Sequence, residues 1–324
     1  MTESQINHSD LKSEYPPVFL VGTERSGTTL LRLMLDHHPK LAFQFESEYM
    51  VEYVGDNGDF PDVQTVVDRL STDRIFQLTG FSSDTSGGYL GMVNNWLEQK
   101  RSEKDKPIVG ATIHTHFDRI PYIWPNAKYI HLIRDARDVA RSCVVMGWYG
   151  NAYAATDHWL EAMRSWDTLG ERVSAEQRLE IRYENLITDP VDTLTEICKF
   201  VGVDYDKAMF DYIDGSTYHY PDPKLIHQWV GKMPDDELRM IEGRLGDELV
   251  ARGYELSGKP PIKLSPSEEN KIYQQSAWGR RQFARKRYGL PLMLVENIGR
   301  RLKLRKLHDW AVVRKNAIDA KYIR

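Results

Sequence analysis

The stretch VFLVGTERSGTTLLRLML, residues 18–35, allows very few folds. Apolar residues 18–21 end at Gly22, a polar loop with a second glycine at 27 follows, and apolar residues then resume at helical spacing. This run predicts a buried strand, a tight turn and a helix in immediate succession. A parallel strand is buried on both faces and reaches its neighbour only through a crossover, so one such unit commits the surrounding chain to α/β layers.

The turn has the G-x-x-x-x-G spacing of a phosphate-binding loop, with Thr28 standing where a lysine is usual and Thr29 in the Ser/Thr position. Arg25 is the cation of the loop. Backbone N–H groups of Ser26, Gly27 and Thr28 and the positive end of the following helix form a nest for an anion. Arg25 adds a forked donor suited to a tetrahedral oxyanion, and Thr28 and Thr29 add hydroxyls. A nucleoside triphosphate also needs magnesium, held in part by an acid at another strand end. Here KYIHLI at 128–133 runs into Arg134, with Asp135 one residue later. Two arginine-bearing strand ends suit a nucleotide with two separated phosphate groups neutralised by protein, while Asp135 keeps a magnesium-dependent nucleotide or small-molecule kinase as the alternative.

Further strands are expected at 108–113, 128–133 and 178–183. Helices are expected at 62–70, 89–101, 135–145, 152–168, 190–202, near 205–213 and at 235–252. Arg32 and Asp36, four apart, predict a surface pair on the first helix, and Trp159, Met163 and Trp166 predict a core stripe. The alternation gives a P-loop-like three-layer α/β fold with a mainly parallel sheet over residues 15–257. SGKPP at 257–261 marks a boundary, and 258–324 reads as a basic α-helical extension with helices at 267–288 and 291–316. Charge is partitioned accordingly. Residues 259–324 hold 17 Lys and Arg against 5 Asp and Glu, a net of +12, which leaves −16 on the rest of a chain whose total is −4. The second basic helix sets Leu294, Ile298, Leu302 and Trp310 against Arg300, Arg301, Lys303, Arg305 and Lys306, a pattern that fits peripheral membrane contact or docking on the acidic body.

These residues resemble the sulfotransferase superfamily, which uses 3′-phosphoadenosine 5′-phosphosulfate on a P-loop-like α/β fold. The likeness spans about 16–256. It is carried by RSGTTLL at 25–31 with LDHHP at 35–39, RDARDVARS at 134–142, RYENLITDP at 182–190 with FVGV at 200–203, Trp229, and Gly253 with Tyr254. LLRLMLDHHP and Glu46 are most similar to the bacterial branch that also resembles protein-tyrosine and Golgi-type glycan sulfotransferases. The resemblance implies that Arg25, Ser26, Gly27, Thr28 and Thr29 hold the 5′-phosphosulfate, that Arg134 and Ser142 hold the 3′-phosphate, and that Tyr183 contacts the adenine. The expected reaction moves a sulfuryl group in line to a hydroxyl acceptor (a glycan, glycolipid or small molecule).

Such transfer needs a base for the acceptor's proton and a cation at the leaving oxygen. Arg25 is the expected cation. Glu46, among Phe43, Phe45 and Tyr49, is the favoured base, with Glu48 beside it. His114, in IHTHFDRIP at 113–121, is the rival base and resembles the catalytic histidine of cytosolic members. The family's lysine at that strand end is missing from GATI at 110–113, and Lys224 is a candidate substitute. Glu24 is a second departure, a carboxylate beside Arg25 that opposes an anion unless it points away or pairs with a neighbouring cation.

No His, Cys and acid spacing suggests a metal site. The acidic body and a tail without a recognisable module argue against nucleic-acid binding. Cys143 and Cys198 fit a reducing compartment, and no apolar run marks a signal or membrane span in the first fifteen residues, so cytoplasmic residence is expected. A non-catalytic nucleotide-binding scaffold is the third reading.

Overall fold

In the computed structural model residues 14–319 are described, and they gather into two compact units. The first holds the chain up to Ile133 together with Ala162–Asp222. The second holds Arg134–Glu161 and the chain from Pro223 onward.

The first unit is built on a five-stranded sheet of β1 (Val18–Val21), β2 (Leu41–Glu46), β3 (Ile108–Ile113), β4 (Lys128–Ile133) and β5 (Arg178–Arg182). The order is β2-β3-β1-β4-β5 and every pair is parallel. Val18 is in register with Gly110 of β3 on one side and Lys128 of β4 on the other. Every residue of β1 and β3 is buried, which explains why β1 is wholly apolar and β3 nearly so. Helix α1 (Thr28–His37) joins β1 to β2, and α2 (Val63–Leu70), α3 (Arg74–Thr79) and α4 (Gly88–Lys104) lie between β2 and β3. Because β4 and β5 continue on the other side of β1, the carboxyl end of β1 is where the strand order reverses, the usual place for a ligand in such sheets.

Downstream, α5 (Ala136–Val145) belongs to the second unit. Helix α6 (Ala152–Arg172) starts in that unit and ends in the first. Helices α7 (Tyr183–Thr188), α8 (Pro190–Val201) and α9 (Tyr212–Gly215) complete the first unit, while α10 (Asp235–Ala251), α11 (Pro266–Tyr288), α12 (Leu290–Arg301) and α13 (Arg305–Asp319) complete the second. The stripe Trp159, Met163 and Trp166 is buried as expected.

Helix α11 docks on the residues around the start of α6. Asn151 Nδ2 donates to Ile272 O at 2.9 Å, Gly150 N to Ser276 Oγ at 3.0 Å, and Tyr153 OH to Glu269 Oε1 at 3.0 Å. Part of the basic extension is therefore packed within its own unit.

LAFQFE at 41–46, for which no element is expected from sequence, is a strand paired with β3. Three local expectations change. Tyr183 opens α7 rather than ending β5. Asp36 does not pair with Arg32. It accepts from Phe43 N at 2.8 Å and faces Lys100 and Lys104 at 3.9 and 3.8 Å. The single helix expected over 291–316 is broken at 302–304, where Lys303 takes a left-handed φ of 54° and Leu304 N turns back to Gly299 O at 2.8 Å.

Candidate active site

The loop between β1 and α1 sits at the strand-order reversal. Arg25 has φ 70° and Gly27 φ 93°, so two residues adopt left-handed backbone within three positions, the turn that points successive N–H groups to one side. A Cβ on Gly27 would lie 2.3 Å from Tyr183 Cε2, so the ring of Tyr183 lies directly against the loop, and only glycine fits there. Tyr183 is thus brought to the loop by the end of β5, two strands away from β1.

The opening of α1 is arranged for an anion. Its N-cap, Gly27, has no side chain to cap with, and the first turn carries no acid. Ser26, 1% exposed, has a buried Oγ without any hydrogen-bond partner, as does the Oγ1 of Thr23. Buried hydroxyls are ordinarily satisfied, and each left unmade costs about 1–3 kcal/mol. Two unsatisfied hydroxyls at an uncapped helix start fit the acceptor-rich oxygens of a phosphate group. Thr23 was not among the residues singled out from sequence, although its place directly after Gly22 was the available signal.

Beside the loop lies a buried histidine enclosed by carboxylates. His114 follows β3, is 4% exposed, and its Nδ1 donates to Gly22 O at 2.8 Å, while its backbone N donates to Glu48 Oε1 at 2.9 Å. Burial by itself would lower the imidazole's pKa, but Glu24, Glu48 and Glu46, with the Gly22 carbonyl, outweigh it and hold the ring above its ordinary value. Glu48 is pushed up by desolvation, opposed by His114 and reinforced by Glu24. The Glu24 carboxylate beside Arg25 therefore has His114 as an electrostatic neighbour, each favouring the other's charged form. This imidazole also stands at the strand end where the family's lysine is missing. Sequence alone named these residues without linking them, because Glu24, Glu48 and His114 are joined only through the parallel register of three strands.

Glu46 closes β2 opposite Thr112 of β3 and is partly exposed, whereas His114 is shut away from solvent. Glu46, Glu48, His114 and the loop thus share the carboxyl end of the sheet.

The second unit carries the remaining predicted residues. Arg134 Nη2 donates to Leu225 O at 2.8 Å and lies 3.4 Å from Asp138 Oδ2, and Ser142 sits two turns into α5. Asp135, 1% exposed, is engaged by Arg137. It accepts from Arg137 N and Nε at 2.9 Å each and from Arg137 Nη2 at 2.7 Å. Its commitment to Arg137 removes the acid that supported a magnesium-dependent kinase. Lys224 is exposed in this unit. Among the described residues there is no group of three or more His, Cys, Asp or Glu arranged to hold a metal ion.

Comparison with known proteins gives this geometry a lineage. The model of the sulfotransferase family matches residues 16–207, more than half of the chain. The chain belongs to the sulfotransferase family. Like its resemblance implied, it is an enzyme dependent on 3′-phosphoadenosine 5′-phosphosulfate. This sulfotransferase is 22% identical over 286 residues to protein-tyrosine sulfotransferase 2 of Gallus gallus, covering 79% of the chain and 74% of that protein. It is also 22% identical over 281 residues to protein-tyrosine sulfotransferase A of Caenorhabditis elegans, covering 78% and 71%. Among solved structures, the sulfotransferase domain from the curacin biosynthetic pathway superposes with a TM-score of 0.58 at 17% identity, covering 75% of this sulfotransferase and 99% of that domain.

Proposed function

We propose that the chain moves a sulfuryl group from 3′-phosphoadenosine 5′-phosphosulfate to a glycan or glycolipid hydroxyl, with Glu46 as base. The observation that carries the donor half is the pair of unsatisfied buried hydroxyls, Thr23 and Ser26, at the uncapped start of α1. The donor supplies an activated sulfuryl group, and what the chain adds is position and charge. Arg25, Ser26, Gly27, Thr28 and Thr29 hold the 5′-phosphosulfate, Arg134 and Ser142 hold the 3′-phosphate, and Tyr183, laid against Gly27, contacts the adenine. Arg25 stabilises charge growing at the bridging oxygen, and no metal is needed for that task.

Of the two candidate bases, the geometry favours Glu46. A base must reach the acceptor, and Glu46 is partly exposed, while His114 is enclosed with Nδ1 committed to the Gly22 carbonyl. His114 then serves as a fixed cation that braces the loop. A second acceptor class, the tyrosyl hydroxyl, is supported by the names of the relatives from Gallus gallus and Caenorhabditis elegans. Cytoplasmic residence and peripheral contact of the basic tail with membrane belong to the same reading. Cys143 and Cys198 are buried and form no disulfide, and no helix among the described residues is long and apolar enough to cross a membrane.

The test is Glu46→Gln. Calorimetric affinity for 3′-phosphoadenosine 5′-phosphate in EDTA should stay within about twofold of wild type, because the loop is untouched. Turnover, followed with labelled donor and the best acceptor from a panel of glycans, glycolipids and tyrosyl peptides, should fall by roughly 10²–10⁴. Undiminished turnover removes Glu46 from the mechanism, and His114→Gln then tests the rival.

A further inference from the structure

We propose that the α12–α13 hairpin is a membrane-surface anchor that seats on anionic phospholipid through its turn, with two exposed leucines entering the headgroup boundary. The idea deepens the tail's proposed membrane contact and rests on no part of the transfer chemistry.

The hairpin is antiparallel, tied across its two helices and to the end of α11. Lys315 Nζ reaches Glu296 at 3.0 Å, Arg287 Nε reaches Asp319 at 2.8 Å, and Tyr288 OH donates to Asp319 at 2.9 Å. Near the turn the helices touch through Gly299, where a Cβ would come within 2.7 Å of His308 N. The two acids distant from the turn are therefore engaged, Glu296 inside the hairpin and Asp319 by Arg287 and Tyr288 at the end of α11.

The turn itself is different. Between Glu296 and Asp309 the chain carries Arg300, Arg301, Lys303, Arg305 and Lys306 and no acid. Set among these five cations are Leu302, 65% exposed, and Leu304, 48% exposed. Arg300 is held by Asn297, an amide, and Arg305 faces Asp309 at 3.7 Å, so the cluster keeps nearly its whole charge. Behind the turn, Leu290, Leu294 and Ile298 repeat every four residues and are all exposed, making an apolar stripe that runs into Leu302. A cleft of about 570 Å³ lined by Pro291, Leu292, Val295, Trp310, Val313 and Ile318 opens between the same two helices.

Apolar residues embedded in a cation cluster match the anionic headgroup region over an acyl layer, where leucine gains by leaving water and lysine or arginine gains from surface charge. An acidic soluble protein would satisfy the cations but has no general use for a leucine at each side of Lys303. A second copy meeting through this face would double the cation cluster in one interface, which like-charge repulsion opposes.

The experiment is sedimentation of the full chain with vesicles of phosphatidylcholine alone or with 30% phosphatidylglycerol. Binding is expected only with phosphatidylglycerol, and it should weaken at least tenfold between 0.1 and about 0.5 M salt as the charges are screened. Leu302→Ser with Leu304→Ser should weaken it a further tenfold at low salt, and Arg300→Gln, Arg301→Gln and Lys303→Gln together should abolish it. Heat stabilisation by 3′-phosphoadenosine 5′-phosphate, measured on the same variants, should be unchanged. That readout separates failure of the anchor from failure of the transfer site. Equal binding to neutral vesicles, leucine variants that bind as wild type, or a concentration-dependent dimer that the leucine changes dissolve while vesicles go unbound would each overturn the proposal.

Discussion

His114 is held by one carbonyl, one backbone contact to a carboxylate and the field of three acids, so its proton is linked to folding. Because Glu24, Glu48 and Glu46 raise its pKa against the effect of burial, the folded chain binds that proton more tightly than the unfolded chain does. The contribution is fully present below the ordinary value of 6.5 and is lost as pH rises through the folded value. Glu48, also raised, adds a slope of the same sign beginning from 4.5. Urea titrations at stepped pH should therefore show stability declining from pH 6.5 upward. His114→Gln should remove the His114 part of the decline, while the Glu48 part remains and steepens because His114 no longer opposes its upward shift. A variant that keeps the full wild-type slope would show that His114 is not the group responsible. At this scale the sequence was informative about residue types and poor about alliances. Arg25, Gly27, Tyr183 and His114 could all be chosen from their spacing or family likeness. Glu24 looked like an obstacle because its compensating cation is more than eighty positions away and meets it only through the β1–β3 pairing.

Between elements, the strongest polar link in the second unit is the buried set Asp135, Arg137 and Glu242, which joins α5 to α10 and the chain beyond. Arg137 Nη1 donates to Glu242 Oε1 at 2.6 Å, its Nη2 donates to Glu255 O at 2.8 Å, and its guanidinium lies 3.7 Å over the ring of Trp229. Removing the arginine leaves two carboxylates buried with no countercharge, a loss of about 3–5 kcal/mol. Arg137→Ala should lower the urea midpoint accordingly with an unchanged m-value, and Arg137→Met combined with Glu242→Gln should cost less than Arg137→Ala alone. Additive losses would mean that the three groups do not act as one network. Elements built on apolar runs were legible: β1 is wholly apolar, β3 and β4 are largely so, and α11 carries the capping box Ser265 and Glu268 at its start. Strand β2 is not evident from sequence because LAFQFE is short and is interrupted by the polar Gln44 before it ends at Glu46. The turn between α12 and α13 was missed because helical periodicity persists across 302–304 in the sequence, while the decisive event is a single lysine taking left-handed backbone so that Gly299 can meet His308.

For the molecule as a whole, the consequence of a preformed anion nest is ligand-linked stability without a divalent ion. A ligand that binds only the folded chain at a hundred times its Kd adds about 2.7 kcal/mol. Unfolding entropy near 2.1 cal/mol/K per residue over 324 residues is about 0.7 kcal/mol/K, so the melting temperature should rise by about 4 °C. Titrating 3′-phosphoadenosine 5′-phosphate in EDTA should give this shift, and adding magnesium should not enlarge it, because in the proposed site the nest, Arg25 and the hydroxyls of Thr23 and Ser26 supply the donors. The loop's charge alone cannot account for the effect, since the chain before the basic tail is strongly acidic and repels a multiply charged nucleotide at long range. Protection must come from short-range donors, so it should persist at about 0.3 M salt, where surface attraction is largely screened. Protection by ATP that appears only with magnesium would assign the loop to phosphoryl transfer instead, and protection that vanishes with salt would assign it to the tail.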